Sequence, residues 1–309
     1  MRVAVTGAGG RLGNALIGAL AEASFTGPSG PLAWGRTEFD LDAPEAIGAL
    51  LDATRAELVI HAAAWTDVDG CARDPQLAMR RNGTATGILA AAAAARRVDL
   101  LVISTNEVFD GTRAGRPYRP DDLTAPANPY GASKLAGERA ALDAYASAVG
   151  DTRDGGGGHA MLGIARTAWL FGPGAPDFPV KIAQAAERAV AAGQVLRVVG
   201  DEIGTPTYVG DVAEAVVELI GAGAVAGVHH LVNGGVASRA DWARDVLERL
   251  HLPAEIVEIA QAEYPRASQP PRWGVLAPTA LPGGEPIRPW TEAMADYAPA
   301  LRRSVTIGR

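Results

Sequence analysis

Short runs of consecutive apolar residues alternate along the chain with longer stretches in which apolar positions recur every three or four residues. The short runs are RVAVTG (2–7), PLAW (31–34), ELVIHAA (57–63), DLLVIST (99–105) and LGIARTAWLFG (162–172), and they read as strands. Between them, RLGNALIGALAEA (11–23), APEAIGALLDAT (43–54), DPQLAMRRNGTATGILAAAAAARR (74–97) and the stretch after Asn128-Pro129 carry helical patterns. Strands apolar throughout, each followed by a helix, predict an α/β fold: a doubly wound parallel sheet covered on both faces. GDTRDGGGG (150–158) can hold neither helix nor strand and predicts a flexible loop before the last strand of the series. Beyond Phe178 the alternation loosens and prolines gather, in YPRASQPPRWG and PTALPGGEPIRPW. The expected division is therefore a main sheet domain over 1–175 and a smaller lobe over 176–309, with some lobe segments returning to the sheet.

Composition narrows the function classes. The 309 residues are 48% hydrophobic with a net charge of −7, and no run of Lys or Arg is long enough to track a phosphate backbone, so nucleic acid is not an expected partner. The most apolar run, GILAAAAAA, is too short to span a bilayer, and the N-terminus enters a strand and a glycine turn rather than a leader-like apolar core. A single cysteine, Cys71, excludes an internal disulfide framework and a thiolate zinc cluster, and suits a reducing cytoplasm. No His/Asp/Glu group has metal-ligand spacing, so no metal is expected.

Two stretches carry candidate chemistry. VTGAGGRLG places Gly7, Gly10 and Gly13 between the first strand and the first helix, where a tight turn and a close approach to a pyrophosphate need residues without a β-carbon. The helix N-terminus adds free N–H groups and a positive dipole, so the turn predicts dinucleotide binding. The end of the second strand reads LAWGRTEFDLD, with Arg36 where an acid would select a free ribose. Arg36 could pair with a 2′-phosphate, which makes NADP(H) the preferred cofactor and NAD(H) the alternative; Asp42 is a candidate contact on the adenine side.

The second stretch is ANPYGASKLAGE (127–138), where Tyr130 and Lys134 lie four residues apart on one helix face. The fourth strand ends in Ser104 and Thr105, at the sheet edge where α/β proteins place their sites. A hydroxyl, a phenol and an ammonium would thus converge beside a nicotinamide. Lys134 is expected to lower the pKa of Tyr130, which then serves as general acid to a carbonyl oxygen held by Thr105.

With TGAGGRLG, STNEVFDG and YGASK in order, the chain resembles the extended short-chain dehydrogenase/reductase superfamily, whose fold is Rossmann-like. HAAAWTDVD, NPYGASKLAGE, RTAWLFG and GTPTYVGDVAEAV are further similar to the dTDP-4-dehydrorhamnose reductase family, from Val3 to about Leu276. The resemblance implies reduction of the 4-keto group of a dTDP-sugar, with Thr105, Tyr130 and Lys134 as catalytic residues. It implies cofactor contacts at Gly7, Gly10, Leu12, Gly13, Ala62, Ala63, Ala64 and Lys134. Trp169 would border the sugar, and 204–211 would lie near the substrate. A nucleotide sugar is the implied partner, and a homodimer is an assembly the resemblance allows.

The chain also departs from the family. Asn106 and Glu107 replace the usual Asp and Tyr beside the site, His61 stands for a more frequent Asn, and Arg272 follows the position of an Arg-Pro pair and could take its role at the nucleotide diphosphate. Two rival readings share the fold: a sugar-nucleotide epimerase or dehydratase with tightly held NAD, and a non-catalytic NADP-binding regulatory subunit.

Overall fold

Val3–Thr6 (β1), Leu32–Trp34 (β2), Leu58–His61 (β3), Asp99–Thr105 (β4), Leu162–Thr167 (β5) and Gly227–His230 (β6) form a parallel sheet in the order β6-β5-β4-β3-β1-β2. The structure is a computed structural model that describes residues 1–113, 115–150 and 160–307. The expected glycine loop therefore lies, from residue 151 onward, outside the described residues. The helices used below are α1 (Arg11–Glu22), α2 (Ile47–Thr54), α3 (Ala85–Ala95), α4 (Pro129–Gly150), α5 (Phe178–Ala191), α6 (Val209–Gly221), α7 (Arg239–Leu250) and α8 (Trp290–Ile307).

Alternate strand residues face opposite layers, which is why the strands are apolar throughout. Val3, Val5, Leu58, Ile60, Leu101 and Ile103 pack with Leu16 and Leu20 of α1 and Val212 and Val216 of α6. Ala4, Val59, Leu100 and Val102 pack on the other side with Leu51 of α2, Leu89 and Ala93 of α3, and Ala141 and Tyr145 of α4. The doubly wound arrangement expected from the pattern is the one formed. Downstream, α5, α7 and α8 enclose a separate core around Phe171, Trp242, Trp290, Met294 and Tyr297. Gly227–His230 returns from this half of the chain to the sheet edge beside β5.

Two elements differ from the sequence pattern. The continuous helix expected over 74–97 is divided into Pro75–Ala78, a wide π turn Met79–Thr84, and α3. Within that turn Asn82 leaves the helical surface role: its amide group bonds both N and O of Trp65, at 2.7 and 3.0 Å, and reaches Ser133 Oγ at 3.1 Å. It ties the loop after β3 to α4. The long strand expected over 162–172 stops at Thr167, because Trp169 takes a left-handed conformation (φ 42°). Leu170–Phe171 then pairs with Thr207–Tyr208 instead of the main sheet. An indole at positive φ is a strained arrangement that the surrounding packing must impose.

Helix α4, which carries Tyr130 and Lys134, is anchored by a buried ion pair. Arg166 of β5 donates to both carboxylate oxygens of Glu138, at 3.1 and 2.8 Å, and Ser104 also donates to that carboxylate. Such a pair contributes position more than net stability, but removing one partner would strand a buried charge. It fixes the helix one turn beyond Lys134.

Candidate active site

The glycine turn has the geometry that the sequence demands. Gly7 is at φ +66°, and a β-carbon there would lie 2.8 Å from Ala63 Cα; one on Gly13 would lie 2.1 Å from Gly7 O. No larger residue fits at either position. Gly10 caps α1 without a side chain, so the first N–H groups of the helix open toward the cleft. Leu12 faces both the core and the cleft. Below the turn, His61 bridges Thr6 Oγ1 at 2.8 Å and Thr86 Oγ1 at 3.0 Å. Thr86 spends its own proton on Asn82 O, so His61 Nε2 donates and Nδ1 accepts, a neutral ring. Burial agrees, pulling its pKa down to about 3. His61 is thus a fixed strut behind the Ala62-Ala63-Ala64 turn.

A cavity of about 430 Å³ opens in front of the turn, lined by Gly7, Gly10, Leu12 and Gly13 on one side and by Thr105, Tyr130 and Lys134 on the other. The start of α4 explains how the phenol arrives there. Asn128 Oδ1 accepts from Gly131 N at 2.9 Å, Pro129 opens the helix, and Gly131 lets its first turn press on Glu107, where a β-carbon would meet the Glu107 carbonyl at 2.0 Å. Lys134 Nζ donates to Ile103 O at 2.7 Å. Ser104 lies on the cavity wall, yet its hydroxyl is spent on Glu138, which leaves Thr105 as the strand-tip hydroxyl.

The electrostatics correct one expectation. Burial is the main influence on the Tyr130 phenol and pushes its pKa up; the Glu107 carboxylate adds to the rise and the Thr105 hydroxyl opposes it. Lys134 does not overcome that rise, so the net direction is up and not down as the Tyr130–Lys134 spacing predicts. The ammonium is turned to the Ile103 carbonyl, and its own pKa falls to about 8 through burial, with Glu138 opposing. The phenol therefore keeps its proton, as a group waiting to donate one must. Glu107 also lines the cavity; burial lifts its pKa to about 6 against the hydrogen bond it receives from Asn128 Nδ2 at 2.6 Å. Asn106 lines the cavity too: its Oδ1 accepts from Thr105 Oγ1 at 3.3 Å while its Nδ2 donates to Gly274 O at 3.2 Å.

At the outer end, a hollow of about 310 Å³ shares Gly7, Gly10, Ala62 and Ala64 with the main cavity and adds Arg36, Phe39, Asp42, Ala63, Trp65 and Arg81. Arg36 and Asp42 thus lie together where the sequence places them. At the opposite end, a hollow of about 630 Å³ shares Arg239 with the main cavity and is lined by Phe178, Lys181, Glu202, Tyr264 and Arg266 among others. Between the two, Trp169 stacks on Trp242 with ring centroids 5.9 Å apart, and the Arg239 guanidinium lies 3.5 Å from the Trp169 ring centroid. Arg239 is held in turn by buried Glu202, at 2.9 Å from Nε and 2.8 Å from Nη2.

Arg272 is not brought to this wall. Its guanidinium pairs with Asp201 and is 66% exposed, although Pro270 and Pro271 just before it are buried. Arg239, Arg266 and Arg81 occupy the sites that sequence reasoning missed. Arg239 follows Ser238, a helix cap bonded to Asp241 N at 2.9 Å, and so sits at the first position of α7. That cap was readable in SRAD; the direction in which the helix points was not.

The sheet and cleft define a doubly wound dinucleotide-binding architecture with an acid–hydroxyl–ammonium set at the sheet edge. A family model described as the RmlD substrate binding domain matches residues 1–303. The dTDP-4-dehydrorhamnose reductase of Mycobacterium tuberculosis is 36% identical over 316 aligned residues, covering 100% of this chain and 96% of the relative. A dTDP-4-keto-6-deoxy-D-glucose reductase of Streptomyces niveus is 33% identical, covering 96% of both. Among solved structures, the dTDP-4-dehydrorhamnose reductase of Bacillus anthracis in complex with NADP superposes with a TM-score of 0.82 at 26% identity, over 96% of this chain and 98% of that one. The chain belongs to the dTDP-4-dehydrorhamnose reductase family, and it is an oxidoreductase. Among the described residues no helix is long and apolar enough to cross a membrane, and no group of His, Cys, Asp and Glu could hold a metal ion.

Proposed function

We propose that the protein reduces the 4-keto group of a dTDP-sugar at the expense of NADPH, converting dTDP-4-dehydrorhamnose to dTDP-L-rhamnose. The observation that carries this reading is the meeting of Thr105, Tyr130 and Lys134 with the glycine turn in one cavity, in a chain whose full-length relatives are named for that reaction. The turn accepts a dinucleotide pyrophosphate because Gly7 and Gly13 leave no β-carbon in its path and the N-terminus of α1 is uncapped. When bound, the dinucleotide supplies the hydride.

The chain's own residues complete the reduction. As the carbonyl carbon gains the hydride, negative charge gathers on the oxygen, to which Thr105 Oγ1 donates a hydrogen bond. Tyr130 gives that oxygen its phenolic proton, and the Lys134 ammonium opposes the charge left on the phenol. Trp169, with Arg239 stacked on it, forms the wall against which the sugar sits. The nucleotide diphosphate extends into the hollow of Phe178, Lys181, Arg239 and Arg266, where cations and an aromatic ring suit phosphates and a base. Asn106 Oδ1, which accepts from Thr105 Oγ1 at 3.3 Å, holds that hydroxyl until the carbonyl oxygen takes its place as acceptor, and Arg272 has no part in this wall. We place the reaction in the cytoplasm, where the single buried thiol of Cys71 stays reduced.

Mixing the purified protein with NADPH and freshly generated dTDP-4-dehydrorhamnose, and following the absorbance of the reduced nicotinamide, tests the reading. Substrate-dependent oxidation is expected. Tight NAD carried through purification with no net oxidation would move the assignment to an epimerase or dehydratase.

A further inference from the structure

Asp42 stands at the mouth of the outer hollow between two guanidiniums that it engages unequally. Arg81 holds it with two hydrogen bonds of 2.6 Å, Nε to Oδ1 and Nη2 to Oδ2. Arg36 reaches it from the other side at 3.3 Å and Asp40 at 3.5 Å, with its side chain 76% exposed. Arg81 is only 24% exposed and its guanidinium lies 5.4 Å from the Trp65 ring centroid. Arg81 lies within the wide π turn Met79–Thr84 and lines the hollow together with Trp65 of the loop after β3.

The two halves of the Asp42–Arg81 pair favour opposite ligands. A carboxylate beside an adenosine ribose accepts from its hydroxyls and repels a phosphate; a guanidinium there does the reverse. Arg81 uses Nε and Nη2 on Asp42, which leaves Nη1 outside that pair, and the residue lines the hollow. Together with Asp40 and Arg36 the cluster holds two cations and two anions, so neither preference dominates by charge alone. Arg36, the cation that the strand-end position points to, is exposed enough for water and salt to screen it. Arg81, clamped and half-sheltered by the indole, is the better-defined charge.

We propose that the Asp42–Arg81 pair, rather than Arg36 alone, determines whether the cofactor's adenosine is taken with a 2′-phosphate or with a free 2′-hydroxyl, each half pulling the choice in the opposite direction. The proposal rests on dinucleotide binding in this cleft and not on the identity of the sugar. Removing Asp42's charge leaves both guanidiniums for a phosphate. Removing Arg81 leaves a bare carboxylate facing it.

The test measures binding of 2′,5′-ADP and of 5′-AMP to the full chain by calorimetry, in wild type, Asp42→Asn, Arg81→Met and the double variant. Methionine keeps an apolar stem against Trp65, and thermal melts confirm that each variant is folded. Asp42→Asn is expected to shift the affinity ratio about tenfold toward 2′,5′-ADP, and Arg81→Met about tenfold toward 5′-AMP, the scale of one charge-assisted hydrogen bond. The double variant should return near the wild-type ratio, and Arg36→Met should move it less than Arg81→Met does. Single variants that shift the ratio in the same direction, or by less than about twofold, would overturn the proposal alone. Failure of wild type to bind either nucleotide would overturn it together with dinucleotide binding.

Discussion

Lys134 Nζ donates a 2.7 Å hydrogen bond to the carbonyl oxygen of Ile103, two residues before Thr105 on the same strand. The bond ties the helix that presents the phenol to the strand that presents the hydroxyl. It also leaves the ammonium buried, which lowers its pKa to about 8. Only the charged form can oppose negative charge on Tyr130. kcat/KM should therefore fall as pH rises through about 8. Lys134→Met should remove that limb and lower the rate about 10²-fold or more. A profile that stays flat well past this pH would show that the lysine charge is not needed.

Tyr130→Phe deletes the proton donor and little else, since the ring remains against Cys71, Ala78 and Trp65. Turnover should drop by about 10²–10⁴-fold with the melting temperature nearly unchanged. Thr105→Val should cost about 10²-fold through loss of one hydrogen bond to the developing oxyanion. Steady-state kinetics beside thermal melts checks both; full activity in Tyr130→Phe would assign the acid elsewhere.

The sheet and the catalytic edge were legible because they depend on local rules. Apolar strands, a glycine turn with no room for a β-carbon, and a helix opening at Asn128-Pro129 each declare themselves within a few residues. What was not legible depends on contacts between distant segments. Trp169 looks like strand by composition and leaves the strand only because Trp242 and Arg239, some seventy residues on, stack with its ring. Arg81 belongs to a helical pattern, and nothing local announces the π turn that aims it at Asp42. Arg272 was expected at the substrate by its place in the sequence, while the lobe spends it on Asp201. The effect of Lys134 on Tyr130 failed for the same reason: the i, i+4 spacing gives a shared face, but burial and the Ile103 carbonyl decide the charge.

Glu107 offers a test on stability. Burial raises its pKa from 4.5 to about 6, so the folded protein keeps this proton where the unfolded chain has released it. Stability then falls as pH rises through that window, by an amount on the order of 2 kcal/mol once the carboxyl is ionised. Glu107→Gln, which can still accept from Asn128, should melt at a higher temperature than wild type above pH 6 and gain nothing below 4.5. An equal difference at both pH values would mean that the gain is not electrostatic.

Arg239 and Arg272 make a paired test of where the nucleotide sugar lies. Arg239 joins the main cavity to the lobe hollow and is stacked on Trp169, whereas Arg272 is turned outward to Asp201. Arg239→Met should raise KM for the sugar nucleotide about 10–100-fold, the loss of one charge-assisted contact, with NADPH affinity unchanged. The substitution also strands the buried Glu202 carboxylate, a destabilising change in its own right. Arg239→Met combined with Glu202→Gln removes that complication and should keep the raised KM while regaining thermal stability. Arg272→Ala should leave KM within about twofold, since an exposed ion pair contributes little. If Arg272→Ala raised KM and the Arg239 variants did not, the diphosphate would have to run along the outer face of the lobe instead of through the hollow behind Trp169.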